Sequence, residues 1–160
     1  MSPQEFEQLI GQVTSRLEHR PIDAALGTWL NQEIPAGSDT FETLAAACRT
    51  GVAEGWLCNR EADGIRYGRV LKALPPTHGF SVDVVDMNDI AGPHHVHPNG
   101  EIDLIMPLDA GATFDGHPAG WCVYGPGSAH RPTVAKGRAL VLYLLPQGAI
   151  QFTPAAPKAA

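Results

Sequence analysis

A change in sequence periodicity near Gly55 constrains the fold of this chain more than any other feature. Before it, apolar residues recur every three or four positions, which is typical of amphipathic helices. After it, short apolar stretches alternate with turns rich in glycine and proline, and no helical pattern lies between them. The sequence therefore disfavours a parallel sheet with crossover helices and predicts a mainly β protein, a sandwich or small barrel of about seven or eight strands.

Three helices are predicted in the N-terminal segment, residues 1–54. The first begins after Ser2, a capping residue followed by a proline at the first helical position. The second has Asp23 in its first turn. The third begins near Asp39, which has capping-box spacing to Glu42. This segment contains no catalytic constellation, so we expect it to cover the sheet or to form a contact between subunits.

The remaining chain, residues 55–153, is predicted to form the β-barrel. Trp56-Leu57-Cys58 is expected to be its first short strand, and Phe80 to Met87 alternates well between apolar and polar residues. The most apolar strand runs from Ala139 to Leu145. Residues 154–160 are expected to be a frayed tail. Because there is no internal repeat and no linker, we expect one structural domain overall.

Charge and cysteine content disfavour several classes of function. The net charge is −6 and no basic run is present, so we expect no nucleic-acid partner and no membrane partner. The longest apolar run fits a buried strand, and the N-terminus lacks a signal segment, so export is not expected. Cys48, Cys58 and Cys122 are widely spaced and odd in number, which favours reduced, buried thiols in a cytoplasmic protein.

A dense group of histidines gives the barrel a candidate metal site. His95 and His97 lie two positions apart, so on a strand both point to the same face. A tight turn through Asn99-Gly100 would bring Glu101 back towards that face. His130 follows a glycine turn roughly thirty residues later. Imidazole nitrogens with one carboxylate suit a divalent transition metal (Mn, Fe, Zn, Ni or Co) better than Mg²⁺ or Ca²⁺.

His94 is the exception in this group of histidines. On a regular strand it faces away from His95 and His97, so it is expected at the rim of the site rather than among the ligands. If His94 were a ligand instead, the strand register that underlies this prediction would be off by one residue.

Two segments resemble the motifs of the cupin superfamily. His95-Val96-His97-Pro98-Asn99-Gly100-Glu101 is similar to the first motif, and Gly127-Ser128-Ala129-His130 is similar to the second. The resemblance implies a small jelly-roll (cupin) β-barrel, here preceded by an α-helical N-terminal segment. It also implies a metal inside the barrel, bound by His95, His97, Glu101 and His130.

The whole chain resembles a narrower group, the 4-hydroxylaminobenzoate lyase family. The resemblance implies a metal-dependent carbon–nitrogen lyase of bacterial nitroaromatic degradation, which converts 4-hydroxylaminobenzoate to 3,4-dihydroxybenzoate and ammonia. The segments that carry it are Pro21-Ile22-Asp23, Trp29-Leu30-Asn31, the run from Gly92 to Asp103, and the run from Trp121 to Pro132.

The substrate implied by this resemblance is a small aromatic carboxylic acid, whose carboxylate needs a partner. A guanidinium is the natural one because its fork is bidentate. Arg69 and Arg131 are equal candidates, and for each a plain surface position is as consistent with the sequence. Glu101 is expected to bind the metal or to shuttle protons, and Tyr143 either packs in the core or faces the pocket as a proton donor.

Two other functions are consistent with the sequence. A cupin-type metal-dependent dioxygenase or isomerase acting on another small acid would use the same ligands. A non-catalytic cupin that binds a small ligand would share the barrel, although no basic helix pair for DNA binding accompanies it. Cupin barrels often pair through sheet edges, so the resemblance implies a homodimer, unless the N-terminal helices cover such an edge.

Overall fold

A computed structural model describes residues 1–154 of the chain. No helix in that range is long and apolar enough to cross a membrane. Residues 1–154 form three helices, α1 (Pro3–Thr14), α2 (Ala24–Glu33) and α3 (Asp39–Glu54). The same residues form ten strands, β1 (Arg60–Ala62), β2 (Ile65–Leu71), β3 (Phe80–Ala91), β4 (His95–His97), β5 (Glu101–Pro107), β6 (Thr113–Phe114), β7 (Gly120–Tyr124), β8 (Ser128–His130), β9 (Thr133–Pro146) and β10 (Gln151–Phe152).

Side-chain caps begin all three helices, as their sequences predict. The Ser2 hydroxyl accepts a hydrogen bond from the backbone N–H of Glu5 at 3.1 Å. The Asp23 carboxylate caps α2 in the same way, at 2.9 Å from the Leu26 nitrogen. In α3 the capping residue is Ser38, one position earlier than the predicted cap, because its hydroxyl accepts from the Phe41 N–H at 3.3 Å.

The strands form two antiparallel sheets. The larger has the order β1-β2-β3-β9-β5-β7, with β6 also paired to β9, and the smaller has the order β10-β4-β8. The helices precede the strands along the chain, as predicted. The prediction of a mainly β fold with a helical N-terminal segment is therefore confirmed.

The predicted strand at Trp56-Leu57-Cys58 is wrong. The N–H groups of Trp56 and Leu57 both donate to the carbonyl of Gly51, at 3.1 Å each, which folds this segment back onto the end of α3. The first strand is β1, and its hairpin to β2 turns through Asp63-Gly64. Both turn residues have positive φ, 52° and 82°, which is the geometry that an Asp-Gly pair favours.

The large sheet is buried on both faces, and each face contributes to a different core. One face packs against the helices, and α1, α2 and α3 contribute Phe6, Leu30 and Leu44 to that core. The opposite face looks towards the small sheet and forms the barrel interior. Its apolar residues include Ile65, Val85, Met87, Ile105, Phe114, Val134, Val141, Tyr143 and Leu145.

Helix α2 covers the free edge of the large sheet at β7. The side chain of Asn31 accepts a hydrogen bond from the Trp121 N–H at 2.8 Å and donates to the Trp121 carbonyl at 2.9 Å. The Trp121 indole donates to the carbonyl of Ile34, at the end of the helix. The helical segment therefore does cover a sheet edge, which removes β7 as a pairing surface.

The predicted boundaries between the helical segment, the barrel and the tail stay predictions. The helices share a core with the large sheet, as expected for one domain. Pro154 is exposed and lies outside the regular elements, whereas residues 155–160 of the predicted frayed tail lie outside the described part of the chain.

Candidate metal centre

Three different strands bring the four predicted ligands together. β4 carries His95 and His97, β5 begins at Glu101, and β8 ends at His130. One ligand atom from each residue can be chosen so that all four lie within 4.8 Å of one another. The Glu101 carboxylate lies 3.5 Å from His95 Nε2, 3.1 Å from His97 Nε2 and 3.4 Å from His130 Nε2.

Glycine turns hold these strands at the required separation. The His97 carbonyl accepts hydrogen bonds from the N–H groups of Gly100 and Gly127, at 3.2 and 2.8 Å. Gly100 has a φ of 89°, and a Cβ there would lie 2.6 Å from Ile22 Cγ2 and 2.9 Å from the Tyr124 carbonyl oxygen. Only glycine fits this position, and the turn returns the chain to Glu101 as the sequence predicts.

The other nitrogen of each histidine ring is held by a separate acceptor. His95 Nδ1 lies 3.2 Å from the carbonyl oxygen of Pro93. His97 Nδ1 lies 3.0 Å from Ser128 Oγ, whose own proton is donated to the Gly125 carbonyl at 2.6 Å. Because Ser128 Oγ is then the acceptor, His97 carries its proton on Nδ1 and leaves the Nε2 lone pair free for a metal.

Asp115 holds the third histidine and was not singled out in the sequence. Its Oδ2 lies 2.6 Å from His130 Nδ1 and also accepts the Tyr124 hydroxyl proton. Its Oδ1 accepts the Thr133 N–H at 2.9 Å. The sequence signal that marks it is the Asp-Gly pair of the β6–β7 turn, where Asp115 has a φ of 50° and Gly116 a φ of 80°.

The electrostatics of the group match a site that binds a cation. Burial acts to raise the pKa of Glu101, but the surrounding histidines outweigh it and hold that pKa well below its usual value. Burial acts to lower the pKa of His130, yet Asp115 and Glu101 together raise it to about 9. A buried anion therefore attracts positive charge to the point on which three Nε2 atoms converge.

Orphaned polar atoms support the same interpretation. Within residues 1–154, His97 Nε2 and both carboxylate oxygens of Glu101 are fully buried and none of them makes a well-aligned hydrogen bond, although His97 Nε2 lies 3.1 Å from Glu101 Oε2. Buried polar atoms of this kind are costly unless they are paired or coordinate a metal. Three neutral imidazoles and one carboxylate are suitable ligands for a divalent transition metal, so these four residues fit the metal that the cupin resemblance implies. The fold and this centre define a β-barrel protein with a three-histidine, one-glutamate centre of metal-binding type.

Aromatic rings surround the centre. Tyr124 lies beside His97 with ring centroids 5.4 Å apart, and Phe152 lies beside His95 at 5.7 Å. The Phe152 side chain is 60% exposed at the edge of the small sheet, whereas His95 is 2% exposed. The centre is therefore buried, and Phe152 links it to the exposed edge of the small sheet.

The other residues named from the sequence lie around this group. Tyr143 is buried on β9 with its ring centroid 6.5 Å from that of His95. Arg69 makes three contacts with the Asp83 carboxylate, at 3.2 to 3.3 Å. Arg131 is exposed and donates to the carbonyl of Gly92 at 3.4 Å. The substrate and catalytic roles of these residues stay predictions.

His94 takes the rim position that the strand pattern predicts. Its Nδ1 lies 2.6 Å from the Thr153 hydroxyl, and its carbonyl accepts the Thr153 N–H at 3.1 Å. It is not among the residues that converge on the centre. The assumed strand register is therefore correct, and His94 fastens the chain after β10 to β4.

Comparison with known proteins identifies the family. A family model described as PnbB: 4-hydroxylaminobenzoate lyase matches residues 8–152. A 4-hydroxylaminobenzoate lyase of Nocardioides sp. (strain LMS-CY) is 35% identical, covering 94% of this chain and 95% of that protein. Another, of Pseudomonas putida, is 31% identical, covering 91% of this chain and 94% of that protein. The chain belongs to the 4-hydroxylaminobenzoate lyase family, as its sequence motifs predict.

Solved structures of related shape include two cupins. One is an RmlC-like cupin protein from Ralstonia eutropha JMP134, with a TM-score of 0.42, 13% identity, and coverage of 59% of this chain and 62% of that chain. The other is a cupin-like protein from Thermotoga maritima MSB8, with a TM-score of 0.36, 13% identity, and coverage of 59% and 79%.

Proposed function

We propose that this chain converts 4-hydroxylaminobenzoate to 3,4-dihydroxybenzoate and ammonia at the centre formed by His95, His97, Glu101 and His130. The observation that carries the proposal is the convergence of these four side chains in a protein of the lyase family. The reaction breaks the N–O bond, moves oxygen to the adjacent ring carbon and consumes one water in hydrolysing the imine. It is redox-neutral, so it needs no nicotinamide or flavin.

The proposed cofactor is a divalent transition metal, with Mn, Fe, Zn, Ni and Co as candidates. The three histidines would supply Nε2 and Glu101 a carboxylate oxygen. When bound, such a metal supplies Lewis acidity to the hydroxylamine oxygen and hydroxide at neutral pH. The hydrogen bonds to the three Nδ1 atoms keep the rings in the orientation and tautomer that this binding requires.

Proton transfer is assigned to Glu101 and Tyr143. Glu101 is held anionic by the histidines, so it is unprotonated when substrate binds, and a proton that it takes from the substrate nitrogen or from water is held weakly and passes on to the leaving ammonia. Tyr143 pairs across the sheet with Asp83 on one side and Asp103 on the other. Burial and the negative charge of Glu101, with smaller contributions from Asp103, Asp115 and Asp83, raise the pKa of Tyr143 well above its usual value, so it stays a neutral phenol whose O–H is available as a donor.

A homodimer in the cytoplasm completes the proposal. Of the strands that end the two sheet orders within residues 1–154, β1, β8 and β10 remain for pairing, because α2 covers β7. All three cysteines are free and buried, which suits a reducing compartment.

We also propose that either Arg69 or Arg131 binds the substrate carboxylate.

Replacement of His97 by glutamine tests the proposal directly. The variant is expected to lose bound metal and turnover together, as measured by elemental analysis and by ammonia release from 4-hydroxylaminobenzoate. His117→Gln serves as the matched control, because His117 is exposed in the β6–β7 turn and does not contribute to the centre. Survival of both metal content and turnover in the His97 variant would sink the assignment.

Oxygen consumption separates the proposal from a dioxygenase function. The lyase reaction requires no dissolved oxygen, so turnover of 4-hydroxylaminobenzoate is expected to proceed at the same rate under nitrogen. Consumption of one oxygen molecule per turnover, followed with an oxygen electrode, would contradict the lyase function and favour the dioxygenase.

A further inference from the structure

Ser81 has a buried hydroxyl that the fold does not use. Its side chain is 0% exposed, and its Oγ has no hydrogen-bond partner among residues 1–154. Ser81 lies on β3, between Phe80 and Val82, which face the helices. The hydroxyl therefore points into the barrel interior, where an unpaired buried donor requires an explanation.

The guanidinium of Arg69 lies close to the Ser81 hydroxyl, beside Gly148. A Cβ added to Gly148 would be 3.0 Å from Arg69 Nη1 and 3.6 Å from Ser81 Oγ, so both groups border the space beside this glycine. Asp83 holds Arg69 through Nε and Nη2, and Nη2 also donates to the Gly148 carbonyl at 3.3 Å. Nη1 makes no hydrogen bond within the described residues. Asp83 thus orients the fork and leaves one charged donor free.

The strand register sets the distance from this space to the metal centre. Ser81 pairs with Leu145 on β9, and the pairing of Ile102 with Leu144 puts Glu101 on the other side of Leu145. Two strand spacings, roughly 9–10 Å, therefore separate Ser81 from Glu101. The buried, apolar Leu145 lies between them on the same face of the sheet.

The geometry points to a carboxylate subsite formed by Ser81 Oγ and Arg69 Nη1, one aromatic ring away from the metal centre. This inference rests on the proposed function, which brings the hydroxylamine end of the ring to the centre. Leu145 then forms the apolar floor under the ring, and the carboxylate at the para position reaches the hydroxyl and the guanidinium. The negative charge of Asp83 repels the substrate carboxylate. We therefore expect a carboxylate to bind there only if Ser81 Oγ and Arg69 Nη1 both donate hydrogen bonds to it.

Substrates with and without a carboxylate test the subsite. The wild-type protein is expected to prefer 4-hydroxylaminobenzoate to hydroxylaminobenzene in kcat/KM. Arg69→Gln is expected to reduce that preference on the order of 10- to 100-fold, and Ser81→Ala about 3- to 10-fold. Arg66→Gln is the matched control, because Arg66 lies on the same strand between two residues that face the interior and therefore points away from it. The control is expected to keep the wild-type preference.

Benzoate binding gives a readout that does not depend on turnover. Its dissociation constant, measured by calorimetry on the metal-loaded protein, is expected to rise by the same factors in the Arg69 and Ser81 variants while metal content stays unchanged. Arg69→Gln alone leaves the Asp83 carboxylate without its ion-pair partner. The double variant Arg69→Gln/Asp83→Asn removes the positive charge of Arg69 and the negative charge of Asp83 together, so no unpaired carboxylate remains.

The outcomes for the subsite and for the lyase function can be told apart. An unchanged preference and unchanged benzoate affinity in folded Ser81 and double variants would overturn the subsite, even with full lyase activity. Benzoate binding that depends on Ser81 and Arg69, in a protein that never releases ammonia, would support the subsite and overturn the proposed function.

Discussion

Asp115 and His130 form the closest contact between the candidate metal centre and its surroundings, with Oδ2 2.6 Å from Nδ1. The carboxylate is itself fixed by the Thr133 N–H on Oδ1 and by the Tyr124 hydroxyl on Oδ2. Because the carboxylate only accepts hydrogen bonds, His130 must carry its proton on Nδ1. In the neutral ring that metal binding requires, the Nε2 lone pair is therefore free for the metal.

Asp115→Asn should weaken metal binding on the order of 10- to 100-fold. The Asn oxygen would stay with the Thr133 N–H, so its NH₂ group would face His130 Nδ1 and force the proton onto Nε2, where the metal binds. Competition with a chelator measures the affinity. Asp63→Asn is the matched control, since Asp63 lies in an Asp-Gly turn of the same kind with φ 52° but makes no contact with the centre. Equal affinities in both variants would show that Asp115 does not position the ring.

Metal-free protein should lose stability as the pH rises through the titration of His130. Its folded-state pKa of about 9 lies above the ordinary value of 6.5. The protonated ring therefore stabilises the fold fully below pH 6.5, and this contribution is lost as the pH rises through 9. The expected loss is on the order of 1–3 kcal/mol in the free energy of unfolding. Urea unfolding in the presence of a chelator measures it.

A His130→Gln variant is the control for this pH dependence. It lacks the titrating ring and should lose less stability across the same pH range. The thiols of Cys48 and Cys58 contribute only above about pH 9, where they ionise in the unfolded chain but stay protonated in the fold because burial raises their pKa values to about 12, so the comparison is confined to about pH 6–9. Parallel stability curves for the wild type and the variant would refute the assignment to His130.

Local signals in the sequence were enough to predict that His95, His97 and Glu101 converge, whereas His130 joined them through the resemblance to the second cupin motif. The spacing of His95 and His97 determines their shared face, and Gly100 determines the turn that returns Glu101 to it. The strand pattern also separated His94 from the group correctly. These features depend on near neighbours along the chain, which is why the motif could be interpreted without the fold.

Features that depend on distant contacts could not be predicted. Asp115 looked like an ordinary turn residue, because its contact with His130 forms only when β6 and β8 come together. The segment from Trp56 to Cys58 has the composition of a strand but is bound back to Gly51. Ser81 has no sequence signal at all, since a serine in an alternating strand is normally a solvent-facing residue.

Asp103→Asn should stabilise the protein at neutral pH. Asp103 is fully buried and neither of its oxygens has a hydrogen-bond partner within residues 1–154, and burial together with the charge of Glu101 raises its pKa well above the usual value. An acid with a raised pKa must take up a proton on folding, which costs stability at any pH above its ordinary value of 3.8. Asparagine removes that cost, and the expected gain is about 1–3 kcal/mol at neutral pH. Chemical unfolding of the metal-free protein at several pH values measures it. The gain should shrink towards pH 3.8, and a gain that is independent of pH would mean that the Asp103 charge is not its source.

Asn31→Ala should destabilise the contact between α2 and the edge of the large sheet. The substitution leaves both the N–H and the carbonyl of Trp121 without their partner, at an edge where no other strand of residues 1–154 lies beside β7. The expected loss in free energy of unfolding is about 1–3 kcal/mol, and chemical unfolding measures it. Gln32→Ala, at the next and exposed position of the helix, is the matched control and should change stability by less than about 0.5 kcal/mol. Because β7 would then be a free edge, the Asn31 variant should also self-associate more readily, which sedimentation velocity detects. An Asn31 variant as stable and as monodisperse as the Gln32 variant would mean that packing of the helix alone protects this edge.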